Sequence, residues 1–127
     1  MTIPDRRAVA IAGHTGDAAI AAAGLAGDAA VRATALGALE RLGTLTDEQI
    51  LTALVDHDVR VRRRAAEVAA THPAVNLVPT LSDADPNVVE TAAWACGEHE
   101  SNRPEVIRRL IELSADAVEP LVREAAV

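Results

Sequence analysis

Apolar residues along this chain recur at spacings of three and four and are interrupted at intervals by Asp, Gly or Pro, the signature of short amphipathic helices. Between Val61 and Ala69 they fall at Val61, Ala65, Val68 and Ala69, an i, i+4, i+7, i+8 stripe, with Arg63 and Glu67 opposite. Such a helix buries one face only. The same reading predicts a helix from Pro4 to Gly13. Shorter apolar helices are expected over Asp17 to Ala23, Asp47 to Val55, Ala74 to Leu81 and Pro104 to Ser114. Thr46 and Gln49 are spaced as a capping box at the start of the Asp47 helix.

The helices also come in copies. Val31-Arg32-Ala33-Thr34-Ala35-Leu36-Gly37-Ala38-Leu39 matches Val61-Arg62-Arg63-Arg64-Ala65-Ala66-Glu67-Val68-Ala69, with a small residue fifth in each. A third copy runs Val88-Val89-Glu90-Thr91-Ala92-Ala93-Trp94-Ala95-Cys96, and a fourth runs Val122-Arg123-Glu124-Ala125-Ala126-Val127. Their first valines are 30, 27 and 34 positions apart, the scale on which helix-pair solenoids repeat. An acidic turn precedes each copy: Asp28, then Asp56-His57-Asp58, then Asp83-Ala84-Asp85-Pro86, then Asp116. Aspartate caps helix N-termini, and proline fits a first turn. The pattern predicts four helix pairs in one domain spanning 1–127, with the Pro4 to Gly13 helix packed ahead of them as a cap.

Composition narrows the class. Half of the residues are apolar, yet Trp94 is the only aromatic, so the core must be filled by Ala, Leu, Val and Ile. Alanine has the best helix propensity and loses no side-chain entropy on burial, which favours an all-α fold. The net charge is −7 and every basic residue is arginine, a balance that disfavours nucleic acid as a partner. The single cysteine, Cys96, permits no internal disulfide, and a reducing compartment follows. Arg6-Arg7 and the apolar run after them imitate a secretion signal, but His14 and Asp17 end the run. The run from Ala18 to Ala30 is too short and too interrupted to span a bilayer. A cytoplasmic protein without a membrane span is expected.

The order of acidic turn, Val-Arg, small residue and Ala-Leu-rich helix is clearest in Asp58-Val59-Arg60-Val61-Arg62-Arg63-Arg64-Ala65-Ala66. It resembles the bacterial PBS-lyase-type HEAT-like repeat family over nearly the whole chain. The resemblance implies a right-handed α-α superhelix, a solenoid whose second helices line the concave side. It further implies a ladder between neighbouring repeats. The turn aspartates Asp28, Asp56 or Asp58, Asp83 and Asp116 would pair there with Arg32, Arg62 and Arg123, and Val89 replaces the arginine in the third copy. HEAT-like proteins act mostly as scaffolds and adaptors. Relatives include bilin lyase subunits, an iron-dependent hydroxylase and alkylpurine DNA glycosylases, so the fold alone does not settle function.

Individual residues must therefore be weighed. The hydroxylase relatives hold iron through repeated His-Glu pairs, whereas this chain has one, His99-Glu100. His72 and His99 lie 11 positions after Val61 and Val88, so a metal bridging them is conceivable. The plainer account is a polar residue near each helix C-terminus, where positive charge is favoured, and no metal or cofactor is expected. Arg60, Arg62, Arg63 and Arg64 form the densest basic run. Arg62 falls at the margin of the buried stripe, and Arg60, Arg63 and Arg64 turn to the concave side, as an anion contact or as a solvated face balanced by Glu67, Glu90 and Glu98. Trp94 falls off the buried stripe beside the equivalents Gly37 and Glu67, so it is either an interaction hot spot or a filler over small neighbours. Cys96 falls on the buried stripe, where cysteine behaves as a small hydrophobe.

No HExxH, GxSxG or phosphate-cradling glycine loop occurs, and Asp83 and Asp85 are accounted for by capping. A non-enzymatic role is expected: a scaffold that binds a protein or peptide through a concave surface around Trp94, Arg60, Arg63, Arg64, Glu67 and Glu90. The alternative is an enzyme-accessory or nucleic-acid-related role of the lyase or glycosylase kind. Because Val127 falls inside the fourth copy, the apolar end there is expected to pair in a homodimer or to continue in a larger parent protein.

Overall fold

The computed structural model describes residues 2–99 and 104–116, and among these every regular element is helical. The helices are α1 (Arg6–Thr15), α2 (Ala18–Ala23), α3 (Ala29–Arg41), α4 (Asp47–Leu54), α5 (Val59–Val68), α6 (Pro86–Glu98) and α7 (Pro104–Asp116). Short 3-10 turns occupy Gly24–Ala26, Ala69–Thr71 and Pro79–Ser82. No helix among the described residues is long and apolar enough to cross a membrane.

Aspartate starts most of these helices. Asp5, Asp17, Asp28, Asp58 and Asp85 each accept a backbone N–H from the first turn of α1, α2, α3, α5 and α6, a cap that typically contributes about 1 kcal/mol. At α4 the Gln49 N–H donates to Thr46 Oγ1 at 3.1 Å, and the Thr46 N–H donates to Gln49 Oε1 at 2.9 Å. Pro86 occupies the first turn of α6.

Two expected elements are placed differently. The first helix begins at Arg6 and ends at Thr15, two residues later at each end than its apolar pattern suggests. Asp5 has extended backbone and is the cap, so Pro4 lies ahead of the helix, and Gly16, at φ 87°, ends it. Gly13 is interior to α1, where a Cβ would come 2.9 Å from that of Ala38. It permits α1 and α3 to approach closely rather than terminating a helix.

The second correction is larger. Ala74 to Leu81 is not a helix, and only the 3-10 turn Pro79–Ser82 forms there. Pro79 has no N–H to donate to a carbonyl one turn earlier. The Asn76 side chain instead accepts the Val78 N–H at 3.1 Å, a local bond that competes with helix. Val75, Leu77 and Leu81 are nonetheless fully buried, so this irregular segment fills the space a helix would have filled.

Packing follows the copies. α1, α3, α5 and α6 lie side by side in that order, while α2 packs on α3, α4 on α5, and the Pro79–Ser82 turn on α6. Contacts at both ends fix the direction of the row. Near the starts, Arg32 of α3 bonds Asp56 ahead of α5, and Arg62 of α5 bonds Asp83 ahead of α6. Near the finishes, Arg41 of α3 meets His14 of α1 at 3.2 Å, and His99 meets the Ala69 carbonyl at 2.6 Å. The four helices therefore run the same way.

Val31, Val61 and Val88, which open the three described copies, are all buried. Leu36, Leu39, Ile50, Leu77 and Leu81 are the largest fully buried side chains, and alanines fill most of the remaining core. Residue 100 and the fourth copy, with Arg123 and the expected pairing end, lie outside the described residues.

Candidate functional site

Six arginines among the described residues fall into two sets, and the first set holds turns. Arg32 Nε and Nη2 donate to the two carboxylate oxygens of Asp56 at 2.9 and 3.0 Å, and Nη1 donates to the Gly27 carbonyl at 2.9 Å. Arg62 repeats this one copy later, with Nε and Nη2 to Asp83 at 2.9 and 3.4 Å and Nη1 to the Asp56 carbonyl at 3.0 Å. Such forked pairs constrain orientation as well as distance. Asp56 also accepts the Asp58 N–H, and Asp83 accepts the Asp85 N–H, both at 2.9 Å. Each arginine thus fixes the turn that aims the next helix.

Of the aspartates anticipated for the ladder, Asp28 and Asp58 do other work. Asp28 accepts the Val31 N–H at 3.1 Å. Asp58 accepts the Arg60 N–H at 2.8 Å and holds the Arg60 guanidinium at 3.1 and 3.0 Å. The physical reason is position: Asp58 is the N-cap, so its carboxylate is taken by the first turn of α5, whereas Asp56 sits two residues earlier, within reach of α3. The electrostatics follow. Burial opposes charge on Asp56, but the Arg32 hydrogen bond and the Asp58 N–H outweigh it and hold the carboxyl below its usual 3.8. The Arg60 hydrogen bonds draw Asp58 down to about 2.

The two histidines sit in separate networks. His72 Nε2 lies 2.7 Å from Glu40 Oε2 at the end of α3, and Nδ1 lies 2.9 Å from Asp47 Oδ1 at the start of α4. Its side chain is only 15% exposed. Burial opposes protonation there, yet the hydrogen bonds to Asp47 and Glu40 prevail and raise its pKa above 6.5. His99 Nε2 instead contacts the Ala69 carbonyl. Both His72 nitrogens are thus engaged by carboxylates, which leaves no lone pair directed at a metal shared with His99. Among the described residues no group of three or more His, Cys, Asp or Glu side chains is arranged to hold a metal ion.

The second set of arginines lies on the face turned away from α2 and α4. Arg6, Arg60, Arg63 and Arg64 line a cleft of about 390 Å³ together with Ala30, Ala33, Thr34 and Glu67. Ala30 and Ala33 of α3 make a low floor, Arg6 of α1 forms one wall, and the α5 arginines form the other. Arg64 reaches across α3: a Cβ on Gly37 would stand 2.8 Å from its Nη1, so the bare glycine is what lets the guanidinium lie there. Its ion pair with Glu67 is loose at 3.9 Å. Arg6 and Arg63 make no ion pair among the described residues.

Farther along the row, Trp94 is 49% exposed and Glu90 is half-buried on α6. Trp94 is six residues after the buried Val88, as Glu67 is after Val61 and Gly37 after Val31, so the three occupy corresponding positions. Cys96 is buried on the opposite side of α6. The surface offers positive charge, an exposed indole and loosely held carboxylates.

Three participants escape sequence reasoning: Arg6 in the cleft, and Glu40 and Asp47 around His72. Glu40 lies 32 positions from its partner, and no local pattern marks such a contact. The comparisons add no family: no protein-family model matches the chain, and no match is found among curated proteins.

Proposed function

We propose that this chain is a HEAT-like α-α superhelix that works in the cytoplasm as a non-catalytic interaction scaffold. On this reading α1, α3, α5 and α6 line the concave side, and a protein or peptide partner binds across Arg60, Arg63, Arg64, Glu67, Glu90 and Trp94. The observation that carries the reading is the exposed indole of Trp94 on the same face as a cleft lined by four arginines. Trp and Arg are the residue types most enriched at energetic centres of interfaces. Trp94, Arg60, Arg63 and Arg64 are set on helices whose starts are held by forked ion pairs, so that part of the surface is ordered before a partner arrives and little ordering entropy is lost on docking.

Affinity capture with the wild-type chain, quantified against a Trp94→Ala variant, tests this. Loss of an indole anchor is expected to weaken partner retention by roughly tenfold or more. Partners retained equally by wild type and Trp94→Ala would remove the indole face as the binding surface.

A further inference from the structure

The cleft between α1 and α5 carries an inference about the partner's chemistry, which rests on the interaction-scaffold reading and narrows it. We infer that this cleft receives a short run of carboxylates from an acidic peptide segment.

Charge is the first argument. The whole chain carries −7, yet four guanidiniums converge on one cleft with a single carboxylate, Glu67, in its lining. Arg60 is satisfied by Asp58 and Arg64 is held only loosely by Glu67, while Arg6 and Arg63 have no ion-pair partner among the described residues. Like charges gathered this way repel, and a bound anion relieves the repulsion.

Shape is the second. Alanines at positions 30 and 33 recess the floor, so an extended segment can lie on α3 with guanidinium forks from both sides. Arginine suits carboxylates because its planar fork matches their two oxygens. Arg64 extends over α3 in the room left at Gly37. The third argument limits length. Beyond the cleft the same row of helices presents Glu90 and Glu98, so a long polyanion would leave the arginines for a repulsive surface. The positive stretch is therefore short, which favours a brief acidic segment over a long nucleic-acid strand.

The test is fluorescence anisotropy of a labelled octaglutamate peptide titrated with the full chain in low-salt buffer. An octaglutamine peptide and a single-stranded DNA octamer serve as comparison probes. Octaglutamate is expected to bind and octaglutamine not to, with affinity falling as salt rises because the contacts are exposed charges. Replacing both Arg63→Gln and Arg64→Gln should weaken binding about tenfold, whereas Arg108→Gln on α7 should change it less than about twofold, since Arg108 does not line the cleft.

Neither Arg63 nor Arg64 braces a turn, so the double variant should remain folded by circular dichroism and its loss of binding reports on the cleft. Absence of octaglutamate binding by folded protein overturns the inference, as does binding indifferent to the Arg63→Gln and Arg64→Gln substitutions. DNA binding tighter than octaglutamate binding overturns it in favour of phosphate. A partner whose capture depends on Trp94, found alongside failure with octaglutamate, would reject the acidic-peptide assignment and leave the interaction surface standing. Octaglutamate binding with no Trp94-dependent partner would do the reverse.

Discussion

Arg62 and Arg63 are neighbours in sequence and opposites in structure. Arg62 lies against the next turn, with its side chain 20% exposed and bonded to an Asp83 side chain that is 10% exposed. Arg63 is exposed at the cleft and makes no ion pair among the described residues. One step along a helix turns the direction of a side chain by about 100°, and that step converts a brace into a contact surface. The same contrast separates Arg32 from the rest of the basic face. Arg32 and Arg62 are structural because an aspartate from the next turn meets each, whereas no carboxylate pairs with Arg6 or Arg63 among the described residues.

The largest test of the contrast is its stability arm. Arg62→Ala removes three hydrogen bonds and leaves a half-buried carboxylate at Asp83 with only the Asp85 N–H, so unfolding in denaturant should show a loss of about 2 kcal/mol. Arg63→Ala in the same assay should stay within about 0.5 kcal/mol of wild type. Equal losses would erase the distinction between the two sets.

A second test uses acid. The folded-state pKa of Asp56 is below 3.8, so its contribution is present above 3.8 and is lost as pH falls through the lower folded value. Asp56→Asn should therefore cost about 1.5 kcal/mol at neutral pH, and the gap from wild type should close as pH drops below 3.8. A gap that persists unchanged in acid would show that the Arg32 pair contributes shape alone.

The smallest effect is expected at His72, which braces by the opposite sign. Its folded pKa is raised above 6.5, so its contribution is complete below 6.5 and is lost as pH rises through the folded value. Relative to His72→Gln, wild type should lead by on the order of 1 kcal/mol at pH 6, and the lead should shrink on moving to alkaline pH. A lead that grows with pH would contradict the carboxylate-bridged geometry.

Local patterns made much of the fold legible. The Val31, Val61 and Val88 copies, the aspartate caps and the Thr46 and Gln49 box all involve residues within a turn or two of each other, where spacing and propensity are the governing physics. The face of α5 was readable for the same reason, since Arg63 and Glu67 oppose Val61, Ala65 and Val68 by helical phase alone. The segment from Ala74 to Leu81 misled because its apolar spacing fits a helix while Pro79 removes a backbone donor. Asp56 and Asp58 were indistinguishable by spacing, and only the approach of α3 selected between them.

Helical class, the register of the copies and the side on which the arginines emerge were therefore determined by sequence, because each depends on the geometry of a single helix. Tertiary structure alone decided that Arg6 joins α5 across α3, that Gly37 makes room for Arg64, and that His72 links Glu40 to Asp47. Those relations depend on which helices become neighbours and how closely they approach. That is settled by burying small side chains between whole elements, and no window of adjacent residues contains it.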